Sequence, residues 1–259
     1  MRFLLLLIFL STLNLKLAAA HYPSTLTNEE WLIIAPYLLP DTHPIKPDLD
    51  RIFASERAIR TQDSLEKAGF QVLTEGHWSD TVIATHKEAK GFFFKLFTED
   101  QTHVDEIPRL VARIQGACLA QKIVDKYQWQ HLFKVPRKWL YLLPDDSNPL
   151  PGVPSKRMIL IAEDMRLLPR EDSYSKWKDS ALSHRLLKAV FTLLTEGGFS
   201  DSAYAFNLPF AKDGRIAIID NDKHNKRPVP CSKLLKYLHP KNKKYWEKLI
   251  KNAGPEAAF

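Results

Sequence analysis

Gly198-Phe199-Ser200-Asp201-Ser202-Ala203-Tyr204-Ala205-Phe206-Asn207, continued through Lys212-Asp213-Gly214-Arg215 into Ile216-Ala217-Ile218-Ile219-Asp220-Asn221-Asp222, is the stretch on which the reading of this chain turns. It reads as a loop carrying Asp201 and Asn207, a short strand, a Lys-Asp-Gly turn, and an apolar strand ending on Asp220 and Asp222. Turn residues between apolar runs signal a hairpin. Carboxylates at the end of a buried strand are expensive to desolvate and call for a partner, usually a cation. A surface hairpin with solvated acids is the plain alternative, and the residues upstream decide between the two.

The chain has 259 residues, 45% of them hydrophobic, enough for one sizeable core or two small lobes. Its first twenty residues read as a secretory signal peptide: Arg2 as a positive start, Phe3 to Leu10 as the apolar region, and Ala18-Ala19-Ala20 as the cleavage site. The product would be secreted or periplasmic. The apolar run is shorter than the ~20 residues of a membrane span, and Lys16 interrupts it, so no stable transmembrane anchor is expected. Removing this leader takes Arg2 and Lys16 and no acid, which lowers the formal net charge from +7 to +5. A modest basic excess favours anionic partners, with no specific nucleic-acid binding expected. The two remaining cysteines, Cys118 and Cys231, make no disulfide scaffold. Cys118 falls on the apolar face of a predicted helix and reads as a buried thiol.

Residues 21–69 read as a helical extension. Thr27-Asn28-Glu29-Glu30 has the pattern of a capped helix start, and a second helix is expected from Pro47 to Lys67. Phe70 to Leu73, Thr81 to Thr85 and Gly91 to Phe97 read as three strands. A long helix from Glu106 to Tyr127 carries Ile107, Leu110, Val111, Ile114, Cys118 and Val124 at helical spacing. Lys138 to Leu143 and Met158 to Ala162 read as two further strands, followed by a polar connection and a helix from Ser183 to Glu196 ended by Gly197-Gly198. A last helix, Lys241 to Asn252, carries Lys243, Lys244, Lys248 and Lys251 on what reads as a solvated face.

Five strands with one long helix after the third, then a connector, a helix and an acid-bearing loop, resemble the protein-kinase-like fold. Glu75-Gly76-His77-Trp78-Ser79-Asp80 resembles the Gly-x-x-Ser-Asn turn of the aminoglycoside phosphotransferase and choline kinase branch. Phe92-Phe93-Phe94-Lys95-Leu96-Phe97 is similar to the third strand with its phosphate-binding lysine. Ile159-Leu160-Ile161-Ala162-Glu163-Asp164-Met165 resembles the hinge strand that receives an adenine.

The resemblance implies an α+β, bilobal fold. Residues 70–162 would form a first lobe with a five-stranded sheet, and residues 163–259 a reduced, mostly helical second lobe. It implies an ATP-dependent phosphotransferase acting on a protein or small-molecule hydroxyl. Gly76 and Lys95 would hold phosphate, Glu106 would hold Lys95, and Glu163 and Met165 would flank the base. Asn207 and Asp220, with Asp222 sharing, would hold Mg²⁺, and Asp201 would act as base. A pseudokinase that binds nucleotide or a partner without catalysis, or a nucleotidyl transferase, fits the same scaffold. The spacing departs from the kinase pattern: Asp201 and Asn207 are six apart, and the position five before Asn207 is Ser202.

Overall fold

A computed structural model describes residues 26–54, 57–73 and 80–254. The expected leader and Gly76 of the expected phosphate loop lie outside the described residues. Helix α1 (Asn28–Ile34) begins as the sequence indicates. Thr27 Oγ1 accepts the Glu30 N–H at 3.1 Å, and the Glu30 carboxylate accepts the Thr27 N–H at 2.8 Å.

The single helix expected from Pro47 to Lys67 is two, α2 (Lys46–Ile52) and α3 (Gln62–Lys67). The break has a local cause. Thr61 spends its hydroxyl capping α3 at Ser64 N, and the carbonyls of Ile59 and Arg60 accept the N–H groups of Glu99 and Asp100 at 3.0 and 3.2 Å. Those carbonyls are therefore unavailable to a continuing helix.

Strands β1 (Phe70–Val72), β2 (Val82–His86), β3 (Phe92–Leu96), β5 (Lys138–Leu142) and β6 (Met158–Glu163) form one antiparallel sheet in the order β1-β2-β3-β6-β5. Helix α4 (Glu106–Lys126) follows β3; its Pro108 sits in the first turn, where no helical donor is lost. Strand alternation sorts the core into two layers. Ile159, Ile161, Phe94 and Leu96 face the α2–α3 segment, with Leu49, Phe53, Ile59 and Leu65 packed on them. Met158, Leu160 and Ala162 face α4 and α1, with Ile107, Leu110, Ile114 and Ile34. Strand β6 is buried on both sides and accordingly reads as an unbroken apolar run.

A third core lies among residues 120–250. It includes helix α5 (Arg170–Trp177), where the sequence reads as a polar connection, because α5 buries only Ser173 and Trp177. Helix α6 (His184–Gly197) follows, capped by Ser183 and ended at Gly198, whose φ of +60° suits glycine. A 3₁₀ segment (Cys231–Tyr237) and helix α7 (Pro240–Ala253) complete it, with the Trp177 and Trp246 indoles donating to the carbonyls of Leu208 and Cys231. Among the described residues no helix is long and apolar enough to cross a membrane.

Two expectations are corrected. Cys118 is exposed, one position round the helix from the packed Ala117; Cys231 is the buried thiol, and both are free. The strand expected to reach Asp220 stops early: β7 (Ile216–Ala217) pairs in parallel with β4 (Phe133–Lys134). Its turn at Lys212–Gly214 is closed by Ala211 N donating to Arg215 O at 2.8 Å. Beyond Ile218 the backbone carbonyls turn to side chains, which frees the segment to cross to α4.

That crossing passes Gly116. A Cβ there would lie 1.8 Å from the carbonyl oxygen of Asn221, so only glycine admits the contact. Alanine would gain at most ~1 kcal/mol of helix propensity, whereas forcing backbones apart in a packed site costs about 1–3 kcal/mol. Gly116→Ala is therefore expected to lose stability in urea denaturation. A gain would show that the approach is not tight.

Candidate functional site

Because Phe94 and Leu96 point to one side of the sheet, Lys95 points to the other, toward α4. Its ammonium is buried and lies 3.5 Å from Asp220 Oδ1. Two turns into α4, Arg113 donates to the same oxygen at 2.5 Å and to Thr81 Oγ1 at 3.1 Å, and its guanidinium lies 3.5 Å from Asp222. The Asp220 carboxylate thus receives one cation from the sheet and one from the helix. Burial opposes its charge, but Lys95 and then Arg113 hold its pKa below the usual aspartate value. Burial in turn lowers the pKa of Lys95, against the pull of Asp220.

A third cation lies beneath. Lys138, the first residue of β5, donates to Arg113 O at 3.2 Å, Ile219 O at 3.3 Å and Asn221 Oδ1 at 2.9 Å. An ammonium has three N–H groups, and three acceptors use all of them. Burial first, then Lys95, pull its pKa well below the ordinary lysine value, against the opposing pull of Asp220 and Asp222.

The loop that opens the sequence reading folds onto this cluster. Ser202 Oγ donates to Asp220 O at 2.6 Å, and Asn207 Nδ2 donates to Asp201 O at 2.7 Å. The carboxyls of Asp201 and Asp222 share a hydrogen bond. Burial, then Asp222, push Asp201 up to about 8. Burial also disfavours the Asp222 charge, but the bond from Asp201 and the charge of Arg113 outweigh it and lower its pKa. The structure therefore gathers Lys95, Asp201, Asn207, Asp220 and Asp222.

It does not bring Glu106 to them. Glu106 is buried in the first turn of α4, accepts Arg157 N–H at 2.7 Å and is pushed up to about 7 by burial. Lys95 takes Asp220 in its place. Glu163 is held by Arg137, Nη2 at 2.5 Å and Nε at 2.8 Å. Met165 is buried, and its carbonyl accepts Lys134 Nζ at 2.9 Å. A cavity of about 370 Å³ opens between the segment of residues 167–174 and the loop, lined by Leu168, Arg170, Tyr174, Phe206, Pro209 and Ile219. Phe206 and Ile219 are the chain neighbours of Asn207 and Asp220.

The side chains assigned to Mg²⁺ by resemblance do not fit a metal in this arrangement. Arg113 and Lys95 occupy Asp220, and the Asn207 amide is turned to Asp201. Among the described residues no group of three or more His, Cys, Asp or Glu is placed to hold an ion. Sequence reasoning missed Arg113, Lys138 and Asn221. Arg113 had a signal, since it stands three residues after Leu110 and four before Ala117, inside the packed stripe of α4.

No protein-family model matches the chain, and no curated protein is significantly similar to it. Among solved structures, 27 chains match. One, the complex structure of Rv3197-erythromycin from Mycobacterium tuberculosis, is 15% identical with a TM-score of 0.30, over 87% of this chain and 63% of that one. The chain thus spans less than two thirds of that structure's length, and the likeness is too distant to assign a fold or a ligand.

The shared proton has a measurable sign. Asp201 titrates at about 8 when folded and near pH 4 when unfolded. The folded state holds the extra proton between those values, so this group's contribution to stability falls as pH rises through the window. Glu106 acts in the same direction, which makes the comparison with wild type the informative one. Asp201→Asn is expected to flatten the slope of unfolding free energy between about pH 4 and 8. A slope equal to wild type would show that the two carboxyls do not share a proton.

Proposed function

We propose that this chain is an exported, kinase-like nucleotide-binding protein that holds a nucleoside polyphosphate over Lys95 and Arg113 without transferring its phosphate. The observation that carries the reading is the convergence of Lys95 from β3 and Arg113 from α4 on Asp220. Two such cations converging on one face of the sheet's central strand favour an anion. The order of elements supports a bilobal kinase-like arrangement: three antiparallel strands, a 21-residue helix, two strands completing the sheet, then a loop with Asp201 and Asn207 and a segment ending at Asp220. The adjoining cavity, largely apolar, has room for a planar base.

Three features favour binding over catalysis. Ser202 occupies the position five before Asn207 and spends its hydroxyl on the Asp220 carbonyl. Burial and the neighbouring Asp222 push Asp201 up to about 8, which disfavours the carboxylate that a base needs at neutral pH. Asp220 is already neutralised by side chains. Phosphoryl transfer to a protein or small-molecule hydroxyl is the second reading, favoured by one fact: a pKa of about 8 lies near the operating range of a general base.

The test combines binding with transfer. ATP and ADP are expected to raise the thermal midpoint, since a ligand that binds only the folded state stabilises it by RT ln(1 + [L]/Kd). Lys95→Met is expected to weaken that binding at least about tenfold, the loss of one charge-assisted contact. No shift with either nucleotide sinks the reading. Transfer of labelled γ-phosphate to water, to the protein or to an added hydroxyl acceptor would establish the second reading in its place.

A further inference from the structure

In a nucleotide site built on divalent metal, the strand-end carboxylate is kept for the ion, and the ion carries the charge of the phosphates. Here that carboxylate is committed elsewhere. Arg113 reaches Asp220 at 2.5 Å and stands 3.5 Å from Asp222, so one guanidinium spans the two acids that a metal would bridge. It is held there from several sides. Thr81 Oγ1 accepts from its second nitrogen, and its own backbone carbonyl is fastened by Lys138, which also grips Ile219 and Asn221 of the acid-bearing segment. The Arg113 side chain is only 10% exposed, and its Nε is buried without a hydrogen-bond partner. A buried guanidinium is always charged and can present its donors as a planar fork to phosphate or carboxylate.

We infer that Arg113 stands in for the metal ion, so that the cleft takes a polyphosphate anion free of divalent cation, with Arg113 and Lys95 shared between Asp220 and the phosphate oxygens. The inference rests on the nucleotide-binding reading and names the form of ligand the site accepts. The pairing of charges is consistent. Lys95 and Arg113 both reach Asp220, and Arg113 also stands beside Asp222, so the two carboxylates a cation would need already face side-chain cations. Adding Mg²⁺ to the cluster would first require displacing a buried arginine, whereas a metal-free phosphate meets that arginine directly.

Isothermal titration of the whole protein with ADP and with pyrophosphate, each in EDTA and in excess Mg²⁺, tests this. Affinity in EDTA is expected to equal or exceed that in Mg²⁺, because metal competes for the phosphates and finds no site on the protein. Arg113→Met keeps the apolar stem and removes the charge. It is expected to lose at least about tenfold in EDTA, the value of one strong charge-assisted contact. With Asp220 and Asp222 released, the same variant is expected to bind more tightly in Mg²⁺ than in EDTA. Arg113→Lys, which retains a point charge, guards against a folding defect and is expected to bind in EDTA with intermediate affinity. Wild-type binding that requires Mg²⁺, or Arg113→Met binding in EDTA as wild type does, overturns the inference alone. Absence of wild-type binding in both media overturns the nucleotide reading with it.

Discussion

The Asp220 carboxylate is the constraint on which the rest of this structure hangs. It sits where the segment after β7 crosses between the main sheet and the long helix, and its charge must be compensated there. Lys95 and Arg113 do this from 125 and 107 residues away in sequence. Removing either partner of a buried pair leaves the other unsatisfied, at a cost of about 3–5 kcal/mol. Ionic contacts, then, lock together three pieces of chain that share little apolar surface at this point.

Lys138 turns that contact into a frame. One ammonium ties the carbonyl of Arg113 in α4 to the carbonyl of Ile219 and the amide of Asn221, so helix, sheet and acid-bearing segment are fastened at one point. Gly116 permits the approach by having no side chain to obstruct Asn221. On the far side of the sheet, a separate network does comparable work for the N-terminal extension. Arg57 and Arg60 meet the buried Glu99 at 2.8 and 3.3 Å, and Arg60 also meets Asp146 at 3.2 Å. The extension is thereby part of the sheet's packing, covering the face that α4 leaves bare.

The chemistry follows from how completely the cluster is satisfied. Its acids are bound to its cations or to one another, and Asp201 and Asp222 hold a single proton between them. Such a site has little appetite for a further cation. It keeps Lys95 and Arg113, both largely buried, with a largely apolar cavity beside Ile219. An anionic ligand with a planar, apolar end matches both halves.

What the sequence by itself determined was local. Alternation and apolar runs located all five strands of the sheet, and helical spacing located α4, α6 and α7 to within a residue or two. Thr27 and Glu30 announced the first cap, and glycines the end of α6. Lys95, Asp220 and Asp222 stood out because charged residues beside apolar runs are costly without partners, and Asp201 and Asn207 through the resemblance to kinases. Helix α5 escaped, since only two of its residues are buried, and so did the break between α2 and α3, since it depends on Glu99 and Asp100 bonding to carbonyls some forty residues earlier. Tertiary structure alone decided which partner each charge obtained. Glu106 and Asp220 were both candidates for Lys95 by type. The direction of the first turn of α4 sends Glu106 to Arg157, while the close passage of Asn221 over Gly116 delivers Asp220 to Lys95 and Arg113. Spacing along a chain carries the period of a helix or strand, but an ion pair is set by positions in space, and those exist only once the elements have packed.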